Sequence, residues 1–308
     1  MYPKKIALID IGTLKVKVQL REYTSSNEMK VLYKTSIRTA LGRDWIDNCI
    51  QKTPIVNTIN ALKNVVAEMD KFGQYELQTI GTEALRKADN GQEVLIEIKQ
   101  QTSIEPELLN QEIEARLFFN AVIHDFKNLP VATLDVGGGS TQIVVGNKEN
   151  TPDQYFLFPT GTYNIRTAYI DENNPTPEGL LSAKQHIFNA LIPLKNISHQ
   201  SQHLILGSTI ALDFFTEILP KLNLPSTTTN YLNHPLMIDV KTIEIILNKL
   251  ALLPYSEREK FFSPEPAYTW GVDITLLHVL AVCEYLNLST IIPTNHNLSS
   301  GLFLKSLE

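Results

Sequence analysis

The sequence predicts an α/β fold made of two duplicated domains with a ligand cleft between them. The main observation is a repeated pattern: ALIDIGTLKVKVQL (7–20) and ATLDVGGGSTQIVVG (132–146) each read as an apolar strand, an Asp, a glycine turn and an alternating strand. Helical patterns follow each hairpin in a similar order. The chain of 308 residues is also longer than most single cores. We therefore expect domains at 1–127 and 128–308.

The elements of the first half follow from periodicity and stop signals. A strand at 6–9 meets a turn at Gly12 and an alternating strand over 16–20, and 31–38 is a further strand. A helix is predicted from about 54 to 71, with Pro54 at its start. The strand LQTIGT follows, then helices over QEVLIEIKQQ and EIEARLFFNAVIHDF, the last ending before Pro130.

The second half opens with the glycine-rich hairpin and continues with helices. Apolar periodicity places these helices near 178–193, 207–220, 240–253 and 273–287. Loops rich in Pro and Thr, such as LPSTTTNYLNHP, separate them. A ligand is expected in the cleft between the two halves.

Composition excludes several classes of protein. A net charge of −6 argues against a broad nucleic-acid surface, because such binding needs excess Lys and Arg. The two cysteines, Cys49 and Cys283, form no motif of a disulfide framework or a zinc site. No apolar run approaches the length of a membrane span, and MYPKKIALID does not read as a signal peptide. We expect a cytoplasmic protein without a membrane or nucleic-acid partner.

The glycine turn suits a phosphate group. Consecutive backbone N–H groups form an anion-binding nest, and glycine leaves room for a ligand to approach. The candidate contacts in this loop are Gly137, Gly138, Gly139, Ser140 and Thr141. The alternative is a tight hairpin that binds no ligand. The similar loop at Gly12 and Thr13 argues against this alternative.

An aspartate ends the first strand of each hairpin. A carboxylate at the end of an apolar strand is costly to bury unless it binds a cation or hydrogen-bond donors. Asp10 and Asp135 are therefore candidate ligands of Mg²⁺, the usual partner of phosphate oxygens. The alternative is that each Asp caps its own turn. The histidines indicate no further site. His278 lies on an apolar helix and is interpreted as a core residue.

Taken together, the segments DIGT, GTEALR, EIEARL, LDVGGGST and the later GT and GST turns resemble the exopolyphosphatase/guanosine pentaphosphate phosphohydrolase family. The resemblance covers nearly the whole chain and is closest to short two-domain members. It implies actin-like (ribonuclease H-like) domains and Mg²⁺-dependent hydrolysis of inorganic polyphosphate or guanosine pentaphosphate. It also implies a homodimer.

The resemblance assigns roles residue by residue. Glu114, in the EAR segment, corresponds to the general base that activates water, and Arg86, which ends GTEALR, corresponds to a phosphate-binding arginine. The two Asp-Gly loops correspond to phosphate-binding loops. Gly161, Ser208 and Thr209 correspond to further phosphate contacts.

Several positions depart from the family pattern. Gln142 stands where family members usually carry a Glu, and Gln cannot neutralise a cation or act as a base. Leu14 and Lys15 replace a small polar pair, and Ser208 replaces a glycine. Asp273 lacks the Arg-Ala that usually precedes it, and NLSSG near the end of the chain lacks a basic residue.

Three functions are compatible with these residues. The first is a Mg²⁺-dependent hydrolase that removes terminal phosphate from polyphosphate. The second is an ATP-dependent kinase of small molecules, which the absence of a clear adenosine-binding glycine pair disfavours. The third is a non-catalytic protein that binds polyphosphate or guanosine tetraphosphate, with turnover lost through Gln142, Leu14 and Ser208.

Overall fold

A computed structural model of the protein describes residues 3–24, 29–126, 129–147, 149, 151–231 and 233–307. It divides into two compact units. The first covers Met1–Gln111 and the second Glu112–Ser306. The sequence placed the boundary at 127, so the helix EIEARLFFNAVIHDF, expected in the first domain, is grouped with the second unit.

The first unit is a mixed sheet covered by helices. In chain order it contains β1 (Lys4–Ile11), β2 (Lys15–Tyr23), β3 (Met29–Arg38), α1 (Lys52–Asp70), β4 (Glu76–Gly81), α2 (Glu83–Lys87), α3 (Gly91–Thr102) and β5 (Glu107–Leu108). The strand order is β3-β2-β1-β4-β5. β1, β2 and β3 pair antiparallel, whereas β4 lies parallel to β1 and β5 parallel to β4. Apolar faces of α1 and α3 pack on inward-pointing strand residues such as Val16, Val18 and Leu20.

The second unit is larger, and its first element is α4 (Gln111–Ile123), of which only Gln111 is grouped with the first unit. It continues with β6 (Ala132–Val136), β7 (Thr141–Gly146), β8 (Pro152–Phe158), α5 (Thr162–Tyr169), α6 (Pro177–Ala190), β9 (Leu204–Gly207), α7 (Ala211–Lys221), β10 (Thr227–Thr228), β11 (Leu236–Asp239), α8 (Val240–Leu250), α9 (Tyr255–Arg258), α10 (Val272–Tyr285), β12 (Thr290–Thr294) and α11 (Leu298–Lys305). Its sheet runs β10-β11-β12-β9-β6-β7-β8.

The two units repeat one topology. The order β8-β7-β6-β9-β12 in the second matches β3-β2-β1-β4-β5 in the first. The hairpins match residue by residue, because Asp10 pairs with Lys17 across β1–β2 as Asp135 pairs with Gln142 across β6–β7. The predicted α/β class and the duplication are thereby confirmed.

The five strands that follow the hairpin in the second unit, β8 to β12, escaped prediction. Among them, LILG forms β9 and TIIPT forms β12, and both are largely buried. β9 lies parallel to β6 and to β12, whereas β12 pairs antiparallel with β11. The predicted helix at 207–220 was wrong at its start, because Gly207 ends β9 and α7 begins only at Ala211. Such short apolar runs fit a buried strand or part of a buried helix equally well. Among the helices described, none is both long and apolar enough to cross a membrane.

Candidate active site

The glycine loop, Gly137–Gly139, is fixed through its carbonyl groups. The carbonyl oxygens of Gly137 and Gly138 accept hydrogen bonds from the N–H groups of Thr162 and Tyr163 at 2.9 and 2.8 Å, in the first turn of α5. The Gly139 carbonyl accepts from Asn164 Nδ2 at 2.9 Å. With its carbonyls bound to α5, the loop is held in one conformation.

The N–H side of the glycine loop is open. The N–H groups of Gly138 and Gly139 donate to no other residue that the structure describes. No described atom lies within 4 Å of the place that a Cβ would take at Gly138 or Gly139. Backbone donors beside empty space form a cradle for an anion, and a larger side chain would fill that space.

Gly161 and Thr141 support the loop from behind. A Cβ on Gly161 would lie 2.6 Å from the nitrogen of Gly139, so only glycine allows this approach. Thr141 Oγ1 donates to the carbonyl of Thr160, whose own hydroxyl lies 3.1 Å from His278 Nε2. The structure thus gives Gly161 and Thr141 supporting contacts, and their direct contact with phosphate stays a prediction.

His278 is a core histidine, as its sequence context indicated. Its Nδ1 lies 2.8 Å from the carbonyl of Ile274, and the ring is fully buried. Burial lowers the pKa of His278 to about 4. The ring is therefore neutral at pH 7, and it joins α10 to the segment that supports the glycine loop.

A buried charge cluster anchors α5. Asp273, in the first turn of α10, pairs with Arg166 of α5 and lies 2.7 Å from Arg258 Nη1. All three residues are at most 1% exposed. Arg166 also lies over the ring of Trp270, with 5.2 Å between the guanidinium carbon and the ring centroid. Since α5 holds the loop carbonyls, Asp273 positions the cradle through Arg166.

The carboxyl ends of the parallel strands bring further candidates together. Asp135 of β6 is paired with Gly207 of β9, which is paired with Thr294 of β12. Ligands of open α/β sheets bind at this edge. Ser208 and Thr209 follow Gly207 directly, but their hydroxyls have protein partners. Ser208 Oγ donates to Tyr268 Oη at 3.4 Å and accepts from the Ile210 N–H at 3.2 Å.

Tyr268 is a site residue that sequence reasoning missed. Burial raises its pKa to about 12, and the nearby charges of Glu265 and Asp135 act in the same direction. A neutral phenol hydroxyl therefore lies beside Ser208, and the charge of Asp135 is near enough to affect its pKa. Tyr268 lies in a 3-10 turn that is far from the glycine loop in sequence, so no local motif indicated it.

Glu114 is buried on α4, with 8% of its surface exposed. Its neighbour Phe118, one turn later, packs against Gly207, where any Cβ would collide with the ring. Leu117 makes a similarly close contact with Gly301 of α11. These contacts hold α4 against the carboxyl end of β9. Glu114 therefore does not lie on a solvated face of the helix.

Gln142 lies opposite Asp135 and is 3% exposed. Its Nε2 donates to Ser140 Oγ at 2.9 Å. In the first unit Lys17 occupies the corresponding position, with its Nζ 3.9 Å from Asp10 Oδ2. Lys17 thus places a positive charge near Asp10 in the first hairpin.

Asp10 has an oxygen available for a ligand. Burial raises the pKa of Asp10, and Lys17 opposes that shift. Its Oδ1 is buried and has no hydrogen-bond partner among the described residues. The loop after it is closed by the Gly12 N–H, which donates to the Lys15 carbonyl at 3.0 Å, as Gly137 donates to Ser140 at 2.8 Å. Thr13 is buried against Gly42.

Arg86 lies on α2 with protein partners. Its Nη2 lies 2.6 Å from Glu83 Oε2, and its Nη1 donates to the carbonyl of Leu109. Glu83 is buried and also pairs with Lys87. These contacts join α2 to the end of β5, and a phosphate contact by Arg86 stays a prediction.

Curated relatives match parts of the chain. The phosphatase-containing "Bifunctional 3-dehydroquinate synthase/phosphatase" of Fusobacterium nucleatum is 26% identical over 77% of this chain and 39% of its own length. "Exopolyphosphatase 1" of Mycobacterium tuberculosis is 28% identical over 39% of this chain and 35% of its own. The chain thus spans well under half of each of these two relatives.

Solved structures match the fold over nearly the whole chain. A Ppx/GppA family member from Aquifex aeolicus has a TM-score of 0.76 at 21% identity and covers 99% of this chain and 97% of its own. An exopolyphosphatase from Cytophaga hutchinsonii has a TM-score of 0.82 at 18% identity, covering 99% and 98%. At such identities the likeness shows the fold. The family model described as the Ppx/GppA phosphatase family matches residues 8–307, and the chain therefore belongs to that family.

Proposed function

We propose that this chain is an exopolyphosphatase-like phosphoric anhydride hydrolase, which releases terminal phosphate from inorganic polyphosphate. Membership of a phosphatase family and relatives named exopolyphosphatases support this proposal. The observation that carries it is the glycine loop, whose carbonyls are bound to α5 while the N–H groups of Gly138 and Gly139 face open space. Such a cradle fits a phosphate group.

Glu114 and the two phosphate-binding loops have different roles in the proposed reaction. Glu114 orients a water molecule and takes its proton as the water oxygen attacks the terminal phosphorus. The bond between that phosphorus and the bridging oxygen breaks, and the shortened chain leaves with the bridging oxygen. The glycine loop and the loop at Gly12 and Thr13 each bind phosphate oxygens. Backbone donors fixed in advance stabilise the developing charge without reorganising.

Each hairpin carries an aspartate of the kind that binds a divalent cation. Asp10 has a buried carboxylate oxygen without a described partner, and Asp135 ends the equivalent strand. We propose that these two aspartates are Mg²⁺ ligands. When bound, Mg²⁺ would supply positive charge that offsets the phosphate oxygens. Gln142 contributes at most a neutral oxygen beside Asp135.

Phosphate release from long-chain polyphosphate in the presence of Mg²⁺ tests the proposal. We expect steady release from the wild-type chain and no release when Mg²⁺ is removed by a chelator. Guanosine pentaphosphate should be assayed in parallel, because the phosphate cradle alone does not distinguish the two substrates. Absence of turnover on both, in protein that is folded and Mg²⁺-loaded, would contradict a hydrolase.

One observation favours a second candidate function. Gln142 is buried opposite Asp135, where a carboxylate would strengthen cation binding. A chain that binds polyphosphate tightly and does not turn it over would be a binding protein built on the hydrolase fold. Sedimentation of the same sample would also test the homodimer that the family resemblance implies.

Gly138→Ala is expected to weaken polyphosphate binding without reducing stability. The added methyl group meets no protein atom, so the melting temperature should stay within the scatter of ordinary surface substitutions. It would occupy the cradle and displace a phosphate oxygen from the backbone donors. We expect binding to weaken about 10- to 100-fold, measured by titration calorimetry.

Gly161→Ala is the matched comparison. Its methyl group would press on the backbone of Gly138 and Gly139, so this variant should lose about 1–3 kcal/mol of stability as well as binding. Equal binding by wild type and Gly138→Ala would show that the cradle does not hold the ligand.

Gln142→Glu is expected to make stability depend on Mg²⁺. The new carboxylate would lie opposite Asp135 on the neighbouring strand, and like charges in that arrangement repel. The melting temperature should fall in chelator and recover with Mg²⁺, because a cation would satisfy both carboxylates. Gln100→Glu, on the exposed face of α3, is the control and should show no Mg²⁺ dependence. A Gln142→Glu protein insensitive to Mg²⁺ would place the cation away from Asp135.

A further inference from the structure

A second cluster of ionisable side chains lies outside the candidate active site. It comprises Asp125, His234 and His296, and we call it the His–Asp cluster. One ligand atom from each lies within 4.8 Å of the other two. It shares no residue with the phosphate loops or with the proposed Mg²⁺ ligands.

The distances in this cluster suit one metal ion. His234 Nε2 lies 2.9 Å and His296 Nε2 3.6 Å from Asp125 Oδ2. Two ligands that bind a tetrahedral Zn²⁺ at its usual bond length lie about 3.3 Å apart. The observed separations bracket that value, so a cation would require only small side-chain movements.

The surroundings hold the donor atoms in position. His234 is fully buried, so its imidazole is surrounded by protein atoms. The ring of Phe126 lies 4.7 Å from the His234 ring, centroid to centroid, and restricts its orientation. Asn233 Nδ2 donates to Asp125 Oδ2 at 3.0 Å and orients the carboxylate. Such outer contacts are typical of metal ligands.

We propose that Asp125, His234 and His296 form a binding site for a divalent transition-metal ion such as Zn²⁺. Two imidazole nitrogens and one carboxylate favour Zn²⁺, Co²⁺ or Ni²⁺ over Mg²⁺ and Ca²⁺, which prefer oxygen ligands. His124, which is exposed, lies next to the site, with its Nδ1 3.2 Å from Asp125 Oδ1.

The site would join three distant segments of the second unit. Asp125 follows α4, His234 lies between β10 and β11, and His296 lies between β12 and α11. A bound ion would therefore fix the C-terminal end of the helix that carries Glu114 in its first turn. The expected role is structural, because the cluster contains none of the residues assigned to the reaction.

Titration of the full chain with Co²⁺, after removal of bound metal, tests the proposal. Co²⁺ reports nitrogen and oxygen ligation through its visible absorption. We expect one equivalent to bind, Zn²⁺ to displace it, excess Mg²⁺ to leave it in place, and Zn²⁺ to raise the melting temperature. His296→Gln and Asp125→Asn should each weaken binding by about 100-fold or more. His186→Gln, which alters an exposed histidine on α6, should bind like wild type.

Two results would overturn the proposal. One is the absence of saturable Co²⁺ or Zn²⁺ binding by folded wild-type protein, which would leave the cluster as a hydrogen-bonded network. The other is unchanged binding in both His296→Gln and Asp125→Asn. Because the readouts are absorption and melting temperature, neither result bears on polyphosphate hydrolysis, so failure here is distinguishable from failure of the proposed function.

Discussion

Glu114→Gln is expected to reduce polyphosphate hydrolysis by about 10²- to 10⁴-fold, the usual contribution of a general base. Gln preserves the shape of the side chain but cannot accept the proton of the attacking water. Glu114 is buried on a helix that is held closely at Gly207 and Gly301, so the substitution should disturb the fold little. Phosphate release under single-turnover conditions measures the chemical step directly.

Two controls accompany this experiment: the affinity for polyphosphate, and the substitution of a neighbouring glutamate. Polyphosphate affinity of Glu114→Gln should match wild type, because the proposed role is in the reaction and not in holding the chain. Glu112→Gln alters an exposed carboxylate in the same helical turn and should keep full activity. If Glu114→Gln retained more than about a tenth of the wild-type rate, another group would have to be the base.

The duplicated hairpins could be predicted from sequence because their determinants are local. Each hairpin is encoded by consecutive residues, and the register that pairs Asp10 with Lys17 and Asp135 with Gln142 follows from the turn between them. The parallel strands β9 and β12 depend on neighbours far away in the chain. Their short apolar sequences carry no period, so nothing local distinguished them from helix.

Part of the candidate site could be predicted from the sequence, and part could not. The burial of Glu114 had a signal, since Glu114, Phe118 and Ala121 recur at helical spacing on one face, and all three are buried. Tyr268 and the His–Asp cluster had none, because their members come together only through the tertiary fold. For the same reason the sequence could relate Asp273 to a family position but could not identify Arg166 and Arg258 as its partners.

Asp273→Asn is expected to destabilise the second unit by about 3–5 kcal/mol. The carboxylate of Asp273 is the partner of two buried guanidinium groups, and its removal leaves both positive charges without a counterion in the interior. A loss of that size lowers the melting temperature by roughly 10 °C in a unit of this length. Urea unfolding followed by circular dichroism provides the free energy of unfolding.

The same substitution should also weaken polyphosphate binding in the protein that remains folded. Arg166 fixes α5, and the first turn of α5 holds the carbonyls of the glycine loop, so releasing Arg166 loosens the cradle. Asp239→Asn is the control, because Asp239 is exposed and its side chain makes no capping hydrogen bond. If Asp273→Asn cost less than about 1 kcal/mol, the two arginines would have another source of compensation. A large loss of stability with unchanged polyphosphate affinity would instead show that the charge cluster does not position the glycine loop. Both measurements on one variant thus test whether the buried ion cluster positions the phosphate cradle.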